Sequence, residues 1–150
     1  MNLLPKRCVL AIAAVVDVAL HARPSPVAAK ALAARHDLPP RHLESLLQSL
    51  VRGDILKGVR GPRGGYELAR ERRRISVAEI VRAAISSGAE DEDDGNAESK
   101  LVKLVINPLA ELASEEMLEH LENICVEDLC LAASQKSVFS TDQTAPDFTI

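Results

Sequence analysis

Residues 59–68 read Val-Arg-Gly-Pro-Arg-Gly-Gly-Tyr-Glu-Leu and place Gly61, Pro62, Gly64 and Gly65 within a single short stretch. Neither a helix nor an uninterrupted strand holds that density of breakers, because glycine admits positive φ and close backbone approach while proline fixes φ and removes a donor. Strand-forming flanks, Ile55-Leu56 before and Tyr66-Glu67-Leu68 after, make the segment a hairpin. Arg60 and Arg63 then project from its tip. On these residues alone the tip reads equally as an ordinary solvated turn or as a phosphate contact, and what precedes it favours the second.

Upstream, Ser25-Pro26 followed by Val27, Ala28, Ala31 and Leu32 predicts a short helix with a serine cap and proline at its first position, ending near His36. Asp37-Leu38-Pro39-Pro40 cannot continue it, so a second helix starts at Pro40. From there to Arg52 the apolar positions are Leu43, Leu46, Leu47 and Leu50, a stripe that faces a core. The opposite face carries Arg41, Glu44, Ser45, Gln48 and Arg52, with His42 beside it. Those residue types reach base edges and phosphates when a helix enters a major groove, although any solvated amphipathic helix also carries them. Gly53-Asp54 closes the helix, and the order becomes helix, turn, helix, two-stranded wing.

Together with Gly58-Val59-Arg60-Gly61-Pro62-Arg63-Gly64-Gly65-Tyr66 and Ile75-Ser76-Val77-Ala78-Glu79-Ile80-Val81, this order resembles the Rrf2 family of bacterial winged-helix transcription regulators. The match runs over residues 3–85, with a weaker echo over 107–131. The resemblance implies a mainly α fold, a winged helix-turn-helix DNA-binding domain with a C-terminal dimerisation helix, and a homodimer on double-stranded DNA. It also implies that the second helix reads the major groove, that the wing arginine enters the minor groove, and that Glu44 and Arg60 occupy positions used at DNA. Arg63 departs from the pattern, which has glycine there.

Charge supports the division. Residues 1–88 hold 15 Lys and Arg against 7 Asp and Glu, net +8, whereas 89–150 hold 3 against 15, net −12, giving the overall −4. A basic half suited to phosphate is thus segregated from an acidic half. With Tyr66, Phe139 and Phe148 as the only aromatics and no tryptophan, the core must be Leu, Val, Ile and Ala, and single-strand binding by base stacking loses support. The apolar run at 10–20 after Lys6-Arg7 imitates a secretory signal, but Asp17 interrupts it and it is far shorter than the ~20 residues that span a bilayer. It reads as a buried first helix, and the chain as cytoplasmic, with no membrane partner.

The expected organisation is a DNA-binding domain over 1–86 (wing about 55–68), an acidic flexible linker over 87–99, a dimerisation helical region over 100–133 and a frayed polar tail over 134–150. In the third part Leu101, Leu104, Val105, Leu109, Leu112, Ala113, Met117, Leu118 and Leu121 recur at helical spacing, with Pro108 kinking or restarting the helix and Asn107 as its cap. Pairing with a second copy, or packing onto its own domain, buries that stripe.

Many members of the family hold an iron–sulfur cluster with three cysteines in the loop before the dimerisation helix. Here no cysteine lies between Ser86 and Leu121 and that loop is the acidic run, so no cofactor and no metal are expected there. Cys125 and Cys130, five apart on one helix, lie about 140° apart and do not chelate one metal. They and Cys8 read as small buried hydrophobes, the sharper alternative being a thiol switch. His21, His36 and His120 read as surface or capping residues, and no nucleophile–base arrangement points to an enzyme. The expected function is a sequence-specific, homodimeric regulator, a repressor on a pseudo-palindromic operator. The alternatives are a thiol- or ligand-responsive regulator of the same fold using Cys8, Cys125 or Cys130, and a winged-helix protein-interaction module without DNA binding.

Overall fold

In a computed structural model the chain is described over residues 1–86 and 98–139. The expected acidic linker, apart from its last residues, and the tail beyond 139 lie outside the described residues. Among the described residues, six α-helices and one two-stranded sheet follow in the order α1 Lys6–His21, α2 Ala29–His36, α3 Pro40–Arg52, β1 Leu56–Val59, β2 Gly65–Leu68, α4 Val77–Ser86, α5 Asn107–Glu122 and α6 Val126–Gln135. This is the predominantly helical, winged arrangement that the sequence predicts.

The core is aliphatic, as an aromatic-poor composition requires. Leu32 of α2 and Leu43, Leu46, Leu47 and Leu50 of α3 are all buried with Cys8, Val15 and Val18 of α1, Ile55 and Leu56 entering the wing, and Ile80 and Val81 of α4. Each such side chain contributes about 1.5–3 kcal/mol on burial, so the leucine stripe of α3 anchors that helix with its polar face outward. The Ser76-Val77-Ala78-Glu79 run forms a reciprocal cap on α4. The Glu79 backbone N–H donates to Ser76 Oγ at 3.2 Å and the Ser76 N–H donates to Glu79 Oε2 at 2.8 Å.

Three local expectations change. Ser25 and Pro26 do not open α2: the Val27 N–H donates to the Tyr66 carbonyl at 2.9 Å and the Tyr66 N–H to the Val27 carbonyl at 2.8 Å, so this stretch is extended and α2 begins only at Ala29. An isolated β-bridge from Val27 thereby ties this stretch to Tyr66 of the wing, which helical spacing could not reveal. Asn107 does not cap α5, because a π-helical turn, Val102–Ile106, runs straight into it with helical φ and ψ, and Asn107 Nδ2 instead donates to Glu98 Oε2 at 3.0 Å. The widened turn lets the helix continue past Pro108 without the proline's missing N–H interrupting a regular ladder. The segment after Ser134 is partly built: α6 reaches Gln135, and the Phe139 ring stands edge-on to His21 with centroids 4.8 Å apart.

His21 and His36, expected at the surface or as caps, belong with Asp17 to a polar cluster between α1 and the end of α2. Asp17 is wholly buried, and its carboxylate accepts from Arg35 at 2.6 and 2.9 Å. It lies 2.8 Å from His36 Nε2 and 3.1 Å from His21 Nδ1. Burial pushes its pKa up, but the Arg35 hydrogen bonds and charge, with the two histidines, outweigh it and hold the carboxyl below its ordinary value. The residue that breaks the apolar run is therefore an internal tie.

Behind α5, α6 turns back and packs on α1. The backbone locks its start, with Val126 N–H donating to the Ile75 carbonyl at 3.0 Å and Val77 N–H to the Ile124 carbonyl at 2.8 Å. Val126 and Cys130 consequently join the core. α5 buries no residue, and Leu101, Leu104, Val105, Ile106, Leu109 and Leu112 stay 46–73% exposed along it and the π turn.

Candidate nucleic-acid interface

Helix α3 and the wing are positioned by the same few contacts. Pro40 opens α3 with its φ already set, and the helix ends where the Gly53 N–H donates to the Ser49 carbonyl and Asp54 turns left-handed at φ 57°. Gly53 is needed for space rather than for φ: a Cβ there would come within 2.9 Å of Ala83 Cβ on α4. Ile55 follows at once, its N–H on the Leu50 carbonyl at 3.0 Å, so β1 leaves directly from the end of α3. The strands pair antiparallel from Leu56 opposite Leu68 to Val59 opposite Gly65. Of the hairpin glycines only Gly61 uses positive φ, at 116°. Gly64 and Gly65 allow close approach, since a Cβ on them would run into the carbonyls of Val59 and Val27 respectively.

Arg41, Glu44, Ser45, Gln48 and Arg52 fall within a ~100° arc of α3 and are all exposed, opposite the buried leucines. His42 stands aside from that arc, on the wall of a depression shared with α1. Arg60 and Arg63 are exposed at the wing turn. Among the described residues, these eight side chains form no hydrogen bond or ion pair within the chain.

Five other arginines, Arg7, Arg35, Arg70, Arg72 and Arg82, are committed within the fold. Arg7 donates from α1 to the Ala84 carbonyl at 2.9 Å and to Ser49 Oγ at 3.1 Å, joining α1, α3 and α4. Arg70 donates to the Asp54 and Arg74 carbonyls at 3.1 and 2.9 Å and to Glu79 Oε1 at 2.9 Å, bracing the exit of the wing against α4. Burial acts to raise the Glu79 pKa, but the Ser76 N–H and Arg70 hold it below the ordinary range. Arg72 donates to the Ala19 carbonyl, Arg35 is spent on Asp17, and Arg82 pairs with Glu122. A count of basic residues does not identify the five committed arginines; the fold does, leaving Arg23, Arg73 and Arg74 exposed as well as the α3 and wing arginines. Four cations on the α3 face and wing, with Glu44 and Gln48 between them, can contact phosphates and base edges at no cost in internal pairing.

The cysteines offer no ligand set for an iron–sulfur cluster. Cys8 and Cys130 are buried in the core, and burial pushes both thiols up, away from the thiolate that binds iron. Cys125 caps α6, its N–H and thiol both donating to Asp128 Oδ2, at 2.9 and 3.2 Å, which holds the Asp128 carboxyl below its usual value. No cluster of His, Cys, Asp and Glu suited to a metal occurs among the described residues, and no helix among them is long and apolar enough to cross a membrane.

The model of the Rrf2 family, described as an iron-dependent transcriptional regulator, matches residues 4–132. The chain is 39% identical over 77 residues to the HTH-type transcriptional regulator IscR of Xenorhabdus nematophila, covering 51% of this chain and 47% of that protein. It spans about half the length of the curated relatives it matches. Among solved structures, T. potens IscR superposes with a TM-score of 0.67 at 26% identity, covering 93% of both chains. The global cysteine regulator CymR of B. subtilis shares the fold, with a TM-score of 0.62 at 21% identity over 88% of this chain and 98% of that one.

Proposed function

The chain belongs to the Rrf2 family of transcriptional regulators rather than to any class of enzyme, and from that premise we propose that it is a sequence-specific double-stranded DNA-binding regulator, a cytoplasmic homodimeric repressor of the helix-turn-helix type. The observation that carries this reading is the unpaired set Arg41, Glu44, Ser45, Gln48, Arg52, Arg60 and Arg63 gathered on one helix face and one hairpin tip, while Arg7, Arg35, Arg70, Arg72 and Arg82 are committed within the fold. α3 enters the major groove, Gln48 reads a base edge and Arg60 inserts from the wing, while Arg41, Arg52 and Arg63 hold phosphates, with His42 at the margin. A dyad relates two such units, so the operator is a pseudo-palindrome with half-sites about one helical turn, ~34 Å, apart.

Footprinting and salt-dependent binding on the selected operator test this. Arg60→Ala and Gln48→Ala each weaken binding by about 1–3 kcal/mol, with Gln48→Ala relaxing preference at one position in each half-site. Arg63→Ala lowers affinity uniformly and reduces the salt slope by about one per subunit. Unchanged binding in all three variants points to a protein-interaction module instead.

The regulator works without the cluster. Protein prepared without oxygen is colourless and binds its operator with no added iron or sulfide, and Cys8→Ser, Cys125→Ser and Cys130→Ser each retain binding under reducing conditions. Operator affinity is also unmoved by mild peroxide, because the two core thiols are buried and protonated and the half-buried Cys125 thiol is tied to Asp128 at the start of α6, away from the α3 face and the wing. An iron-dependent absorbance that tracks binding would overturn this, and a reversible peroxide effect abolished by one serine substitution would establish a thiol switch.

A further inference from the structure

We propose that the depression between α1 and the start of α3 is an effector site for a small amphipathic anion, a carboxylate with a medium-length apolar tail. The pocket measures about 390 Å3, within the ~300–1,000 Å3 range of small-molecule sites. Leu10, Leu38, Leu43 and Leu46 provide an apolar floor, and Lys6, Arg7 and His42 stand around it, with no carboxylate lining it among the described residues. Lys6 and His42 are exposed and, among the described residues, have no partner within the chain. Arg7 is held by Ser49 and Ala84 and adds fixed positive charge. A cationic rim over a leucine floor selects an anionic head with an apolar body. A neutral apolar molecule leaves the rim unpaired, and a cation is repelled.

The lining also says what occupancy does. Lys6, Arg7 and Leu10 belong to α1, Leu38 and Pro39 to the turn of the helix-turn-helix, and His42, Leu43 and Leu46 to the first turns of α3. A ligand seated there touches the joint that sets the angle of α3 to the first helix. It shifts operator affinity to the extent that it prefers one of two placements of α3, and by reciprocity the operator shifts ligand affinity by the same factor. Binding does not depend on the DNA reading, but this coupling rests on it.

The probes are octanoate and octylammonium, below their micelle concentrations, and octanol, below its solubility limit, titrated calorimetrically into the full chain. Octanoate binds once per chain with a dissociation constant on the order of 0.1–1 mM, octanol about tenfold more weakly and octylammonium not measurably. Lys6→Glu weakens octanoate about tenfold. It keeps the fold, because Lys6 is exposed and an acid in the first helical turn favours the helix. Saturating octanoate changes operator affinity severalfold in the wild type, whereas Lys6→Glu, compared with and without octanoate against its own unliganded affinity, loses the response. No heat at 5 mM octanoate, equal binding of all three probes, or undiminished binding to Lys6→Glu overturns the site. Octanoate that binds by dissociating dimers also overturns it, identifying an acidic side chain of a second copy as the natural occupant. Octanoate bound with no change in operator affinity overturns the coupling alone, while a protein that binds octanoate but no operator defeats the regulator reading and leaves the site standing.

Discussion

Asp17→Asn lowers the unfolding free energy by about 3 kcal/mol at neutral pH, among the largest effects of any single substitution in this chain. The asparagine fits the space but removes the one anion facing Arg35, His36 and His21. Breaking a buried pair by removing one partner costs about 3–5 kcal/mol, because the other is left without a counter-charge. The lower end applies because the Arg35 side chain is 33% exposed and water takes up part of the loss. Chemical denaturation at pH 7 measures it. The pH dependence has a definite sign. Folded Asp17 titrates below its ordinary carboxylate value, so its contribution is fully present above that value and is lost as pH falls through the depressed folded one. The wild type therefore loses stability on acidification more steeply than Asp17→Asn, and the two curves converge at low pH. Glu79 and Asp128 are depressed in the same direction and give both proteins a common residual slope. A difference below ~0.5 kcal/mol at neutral pH, with parallel acid curves, would mean that the cluster does not stabilise the fold. Because it fastens the end of α2 to α1, a destabilised variant that still folds also loses operator affinity.

The second large effect concerns the acidic half. Leu104→Glu with Leu109→Glu gives a folded monomer with operator affinity reduced by about 100-fold or more. Leu104 is 73% and Leu109 63% exposed, and neither packs against the core, so removing them costs the isolated fold little. With Leu101, Val105, Ile106 and Leu112 they form an exposed apolar stripe of a kind that soluble monomers rarely carry. We propose that a second copy covers it, bringing two α3 helices onto one operator. Linking two half-site contacts raises avidity by about 10²–10⁴ over one, and this is what the double substitution forfeits. Sedimentation gives the mass, far-ultraviolet circular dichroism the fold, and gel shift the affinity. A persistent dimer with unchanged operator binding would assign the stripe to a different partner and put the dimer interface elsewhere.

What the sequence determined by itself is what depends on neighbours a few positions away. The Leu43, Leu46, Leu47, Leu50 spacing buries one face of α3 and exposes Arg41, Glu44, Ser45, Gln48 and Arg52. Pro39-Pro40 separates two helices and the glycines bend the wing, because each is a short-range steric constraint that no distant contact overrode. What only the tertiary structure decided rests on partners far apart in sequence. Asp17 finds Arg35 and His36 18 and 19 residues on, and Arg7 reaches Ser49 and Ala84 42 and 77 residues away. Val27 is claimed by Tyr66, which overrides a helix start that Ser25 and Pro26 advertise locally. Charge and hydrophobicity say that a side chain needs a partner but not where that partner will be, so the sequence could not distinguish an arginine spent on the fold from one left free for DNA.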